Sequence, residues 1–188
     1  MFFPKVFHTI SQSPFLLTIV AAFEILSCLG MHHKCHLANF HALEIPDVWF
    51  GYTPNDIYDW LESIGPHGRR NYLDIMKWDF VPYMPSYMFL LGSVLCKLCE
   101  SSSGGSNNAI LVSSWRRYCI PWIAPLIMAF DIVETGSNYF LTVQFPKKVE
   151  VVVILSSIAN QIKWVLFGIG IVQLVALLIH RNLKPKRH

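Results

Sequence analysis

Apolar residues fall into four long runs, with most polar residues gathered between them. The runs lie near 12–31 (QSPFLLTIVAAFEILSCLGM), 78–98 (WDFVPYMPSYMFLLGSVLCKL), 119–145 and 150–179. Each is long enough for the roughly 20 residues that a helix needs to cross a hydrocarbon core. Backbone groups in lipid must find partners within their own segment, and the two-residue alternation of a membrane β-barrel is absent, so the pattern predicts helical spans. The expected fold is all-α: a four-helix transmembrane bundle, a single integral membrane domain over 1–188, with short amphipathic helices in the outer loop between spans one and two.

That outer segment, 32–77, is too polar to sit in lipid. Within TPNDIYDWLESIG, Thr53 suits an N-cap, Pro54 the first helical position, and Asp56 completes a capping box. Ile57, Trp60, Leu61 and Ile64 follow at i, i+3, i+4, i+7, which makes one apolar face. Gly65 ends this helix and Pro66 can start the next, whose stripe runs through Tyr72, Ile75 and Met76. Both helices are expected on the outer interface, with Trp49, Trp60 and Trp78 at headgroup depth. The inner loop, 100–115, is rich in Ser, Gly and Asn and reads as a flexible connector.

Composition supports a membrane class: 53% of the 188 residues are hydrophobic and 14% charged, against about 25% charged in soluble domains. With the N-terminus inside, Lys5, Lys97, Arg116, Arg117, Arg181, Lys184, Lys186 and Arg187 share that side. Six lysines and arginines face out, so the positive-inside rule places both termini on the cytoplasmic (or matrix or stromal) side. No A-x-A-like cleavage site follows the first run, which reads as a retained span.

Charge also changes the picture inside the spans. Asp131, Glu134 and Asn138 are spaced i, i+3, i+7 on one face of span three. Ser156, Asn160, Lys163 and Phe167 share a face of span four. Glu134 lies 11 residues before Phe145, and Lys163 lies 12 after Val151, so both sit roughly 16–18 Å from the outer ends at 1.5 Å per residue. Antiparallel neighbours would bring Lys163 level with both acids. Three isolated central charges would cost roughly 8–10 kcal/mol, so pairing toward the bundle interior is the expected arrangement. Glu24 in span one adds a further acid, and Asp79 shares a face of span two with Tyr83 and Tyr87. Acids outnumber the lysine, so one carboxyl is expected to hold a proton.

Other candidate chemistry is weaker. HHKCHLANFH clusters His32, His33, Cys35, His36 and His41, but the spacing matches no closed zinc site and reads as a solvated turn. Cys96 and Cys99 form CKLC at the inner end of span two, without a redox βαβ context. No nucleophile elbow, HExxH or phosphate-binding glycine loop occurs. No metal or other cofactor and no nucleic acid is expected.

GYTPNDIYDWLESIGPHGRRNYL, WDFVPYMPSY, FDIVETGSNYFLTVQFP and IANQIKW together resemble a group of small four-span membrane proteins without an assigned activity. The matching positions over roughly 50–180 are Gly65, Gly68, Arg69, Tyr72, Leu73, Asp79, Asp131, Glu134, Lys163 and Trp164. Residue 135 is Thr where the pattern has Asn. The resemblance implies the bundle and its polar core, and no reaction.

Two functions remain open from these observations. The first is a non-catalytic accessory or scaffold subunit of a larger membrane complex, with protein partners docking on the interfacial aromatics Trp49, Trp60, Trp78, Tyr83 and Tyr87. The second is a lipid- or small-molecule-binding protein, a carrier or enzyme, with its pocket around Glu24, Asp79, Asp131, Glu134 and Lys163. A proton or ion pathway is a variant of the second.

Overall fold

The computed structural model describes residues 2–40, 45–102 and 120–182, and every regular element among them is helical. Seven α-helices follow in order: α1 (Phe2–Gln12), α2 (Pro14–Leu37), α3 (Pro54–Ser63), α4 (Gly65–Trp78), α5 (Met84–Ser102), α6 (Ile120–Gln144) and α7 (Glu150–Asn182). A 3-10 turn, Pro46–Val48, precedes α3, and a π-helical segment, Asp79–Tyr83, joins α4 to α5. The core of the inner connector, Cys119 and the last six residues of the basic tail lie outside the described residues.

The start of the chain differs from expectation. The first apolar run is broken at Ser13: the Ser13 hydroxyl accepts from the Leu16 N–H and Pro14 opens α2, the combination that starts a helix cleanly. What precedes it is a separate helix. α1 packs on α5, where the fully buried Phe7 ring lies against Gly92. A Cβ at residue 92 would stand 2.7 Å from that ring, so the contact needs glycine. His8 pairs with Glu100 at 3.2 Å, and Gln12 also bonds Glu100, which puts α1 and the end of α5 at one end of the molecule.

The outer segment forms the other end. Thr53 and Asp56 build the anticipated capping box, with the Asp56 carboxylate accepting from the Thr53 N–H at 2.7 Å. These bonds favour the ionised form, so they hold the Asp56 carboxyl below its ordinary range. Ile57 and Leu61 are buried as their spacing requires, Tyr58 joins them, and Tyr72, Ile75 and Met76 form the inward stripe of α4. Gly65, at φ +64°, takes the left-handed turn between α3 and α4. From there the chain stays helical to Ser102. Pro82 and Pro85 remove two N–H donors, and the ladder widens so that Met84 N–H bonds the Asp79 carbonyl, a π-bulge.

α6 and α7 form the most extensive helix pair, and α5 packs against both. α2 leans on α4, the π segment and α5, rather than on α6 or α7. Among the described residues, α2 and α7 are the two helices long and apolar enough to cross a membrane. Neither is a buried core helix: Phe15, Phe23, Leu26 and Leu29 of α2 and Val151, Val172 and Ile179 of α7 are all exposed. α6 is of similar length, but Asp131 and Glu134 interrupt its apolar run.

Candidate functional site

Lys163 stands at the centre of the bundle interior. Its ammonium lies 3.1 Å from Asp131 Oδ1 and 2.5 Å from Glu134 Oε2, across the α6–α7 interface. Glu134 is fully buried and Lys163 only 9% exposed. The i, i+3 spacing of the two acids on α6 is what lets one ammonium reach both. Among the described residues, Glu134 Oε1 has no hydrogen-bond donor.

A layer of neutral polar groups seals the side of this trio nearest α3. Ser156 donates to Asn138 Oδ1 at 3.0 Å, and the Tyr52 hydroxyl lies 2.7 Å from Ser156 and 3.2 Å from Asn138 Oδ1. The Tyr52 N–H donates to Ser157 at 2.9 Å. Burial, and then the Glu134 charge, hold the Tyr52 phenol above its ordinary range, so it stays a hydroxyl. Gly51 makes the approach possible, with φ +84° and the Gln161 side chain against it.

One acid enters from an unexpected direction. The Pro46–Val48 turn folds back from the outer segment and sets Asp47 beside the cluster. Its Oδ1 accepts from Tyr72 and from Asn138 Nδ2, both at 3.2 Å. Its carbonyl accepts from Lys163 at 3.3 Å, and the Pro46 carbonyl accepts from Asn160 Nδ2 at 3.2 Å. Burial is the main cause that pushes the Asp47 carboxyl above its ordinary range, with Lys163 opposing. Tyr72 is held above its own range mainly by burial and next by Asp47.

Opposite Lys163 the arrangement is looser. Asp79 is 7% exposed, and its Oδ2 accepts from Thr135 at 3.0 Å. The Tyr87 hydroxyl donates to Asp131 Oδ2 at 2.7 Å. Glu24 of α2 accepts from Ser86 and, at 3.4 Å, from the Cys28 thiol. Among the described residues neither Glu24 nor Asp79 is in an ion pair.

A cavity of about 400 Å³ separates these two walls. Glu24, Asp47, Asp79, Asp131 and Lys163 line it with polar groups. Tyr83, Tyr87, Trp164 and Phe167 contribute rings, and Met31, Ile75 and Ile127 lie among its apolar lining. A second cavity of about 310 Å³ shares Met31, Cys35 and Tyr83 with the first and continues beside α2 to His32 and His36. No group of three His, Cys, Asp or Glu among the described residues is placed to hold a metal ion.

All seven residues singled out from the sequence are therefore within the bundle, in three settings. Asp131, Glu134 and Lys163 meet directly, Asn138 and Asn160 tie that group to the outer segment, and Glu24 and Asp79 face it across the cavity. Sequence reasoning missed Asp47, Tyr52 and Thr135. The available signal for Thr135 was its position one residue after Glu134, on the side of α6 that turns toward Asp79. The aromatics expected to serve docking turn to intramolecular contacts. Trp60 packs edge-on to Tyr72 and Trp49, Trp78 donates to the Ser27 carbonyl, and Tyr83 and Tyr87 line the cavity.

No protein-family model matches the chain, and no curated protein or solved structure shows significant similarity to it.

Proposed function

We propose that the chain is a four-span integral membrane protein that binds an amphipathic small molecule or lipid between α2 and the α6–α7 pair. The cavity carries this reading. Its volume falls in the roughly 300–1,000 Å³ range of small-molecule sites, and it has the usual make-up of such sites: mostly apolar walls with a few convergent polar groups.

The membrane setting is supported by the inversion of ordinary burial. Apolar side chains such as Val143, Phe140, Leu126 and Val81 face outward, in larger numbers than a soluble surface tolerates. Charges instead converge inward, as intramembrane ionisable groups do. α2 packs away from α7, and Phe167 is both cavity-lining and 40% exposed. Such a slot suits lateral entry from a bilayer. The scaffold reading has less geometry behind it, because the rings that would dock partners are engaged internally.

The test is native mass spectrometry of the full chain released from mild detergent. A non-covalent adduct of lipid-like mass is expected, and Met31→Trp, which fills the cavity from α2, should remove it without lowering the unfolding temperature. Bare protein in every spectrum, or an adduct indifferent to Met31→Trp, would refute the binding reading.

A further inference from the structure

The cavity's charge is unbalanced, and the imbalance has a location. Five carboxylates surround or adjoin it (Glu24, Asp47, Asp79, Asp131 and Glu134), against the single ammonium of Lys163. That ammonium is already committed to Asp131 and Glu134. Glu24 and Asp79, on the opposite wall, receive hydroxyl and thiol donors and, among the described residues, no cation. Asp79 is only 7% exposed, and among the described residues it has no ion-pair partner. A carboxyl group this desolvated ionises readily only beside a counter-charge, and one supplied by a ligand would be favoured over any neutral group.

The rings beside these acids agree in chemistry. Tyr83 and Tyr87 stand edge to face at 5.6 Å between centroids, and Trp164 and Phe167 do the same at 5.9 Å. All four line the cavity. Aromatic walls attract an organic cation through the ring quadrupole. An inorganic cation fits less well, because no three acidic, His or Cys groups among the described residues converge to ligand distance. The adjoining cavity beside α2, with Met31 and Phe40 in its lining, leaves room for an apolar tail.

We infer that the ligand is a protonated amphipathic amine, its ammonium between Glu24 and Asp79 and its apolar part between α2 and α7. This inference rests on the binding reading above and adds the sign of the ligand's charge. Tyr83 and Tyr87 border the same space, so polar substituents near the amine are compatible with it.

Three probes with one tail separate the possibilities: hexadecylamine, hexadecanol and hexadecanoate, each titrated against the full chain in mild detergent and read by native mass spectrometry and thermal shift. The amine should bind at least ten-fold more tightly than the alcohol, and hexadecanoate most weakly. Glu24→Gln and Asp79→Asn should each cut amine affinity about ten-fold and leave hexadecanol affinity unchanged. Both variants keep a hydrogen-bond acceptor in place, and unfolding temperature reports whether the bundle persists. Should Asp79→Asn fail to fold, Glu24→Gln alone decides the matter. Equal or stronger binding of hexadecanol or hexadecanoate would overturn the assignment of charge while leaving the binding reading intact. Amine binding indifferent to both substitutions would also overturn it. Binding of none of the three, above a control membrane protein, would overturn both readings.

Discussion

The two walls of the central cavity are built from the same residue types but differ in whether their acids meet a cation. On the α6–α7 wall, Lys163 touches two carboxylates and a backbone carbonyl, and Asn138, Ser156 and Tyr52 close a hydrogen-bonded layer behind it. On the wall made by α2 and the π segment, Glu24 and Asp79 have neutral donors and, among the described residues, no ion-pair partner. An ion-paired cluster fixes register and can be removed only as a whole. Acids without a counter-ion carry a cost in the unliganded protein that a cationic ligand can relieve. The comparison therefore divides the buried charges into a group that holds the helices together and a group available for recognition.

The division can be broken most severely at Lys163. Lys163→Met leaves Asp131 and Glu134 buried without their cation and should destabilise the bundle by about 3–5 kcal/mol. Thermal unfolding in detergent would show it. Replacing the whole trio, as Lys163→Met with Asp131→Asn and Glu134→Gln, should recover most of that loss, since no uncompensated charge remains. If the triple variant is no better than the single one, the trio is not an isolated latch.

A smaller effect is expected one layer out. Tyr52→Phe removes a buried hydroxyl that meets Ser156 and Asn138, and should cost about 1–3 kcal/mol by the same assay. Unchanged stability would mean that the layer is reorganised around the two remaining partners.

The mildest effect concerns pH. Asp47 lies outside the proposed spans, and its carboxyl is raised, chiefly by burial. The folded protein therefore holds this proton more tightly than the unfolded chain does. Between the ordinary carboxylate value near 4 and the raised one, the folded state binds more protons, so this group's contribution to stability falls as pH rises. Asp47→Asn abolishes that slope. The unfolding temperature of the variant minus that of the wild-type chain should climb as pH rises through the window. A flat or falling difference would show that Lys163 offsets the burial.

How much of this was legible in the sequence depended on whether the residues shared one periodicity. Asp131, Glu134 and Lys163 lie on two helices joined by a short turn, so counting residues from that turn was enough to align them. The α3 cap was equally visible, because Thr53, Pro54 and Asp56 act within four residues of one another. Asp47 was not, since it reaches the cluster through a three-residue turn, and nothing in PDV distinguishes it from the other outer acids. Its partners Tyr72, Asn138 and Lys163 are 25, 91 and 116 residues away. α1 was hidden for a different reason. Its phenylalanines blend into the apolar run of α2, and only Ser13–Pro14 marked the break. The cavity itself arises from α2 leaning away from α7, a packing choice with no local signature.

The central claim is that one wall supports the fold and the other holds the ligand, and the double variant Glu24→Gln/Asp79→Asn tests it most directly. Its native mass spectrum should show the bare chain at an unfolding temperature equal to or above that of the wild-type protein, because two carboxyl groups without a counter-ion have been replaced by neutral amides. A variant that unfolds, or one that still carries the lipid-like adduct, would contradict the account.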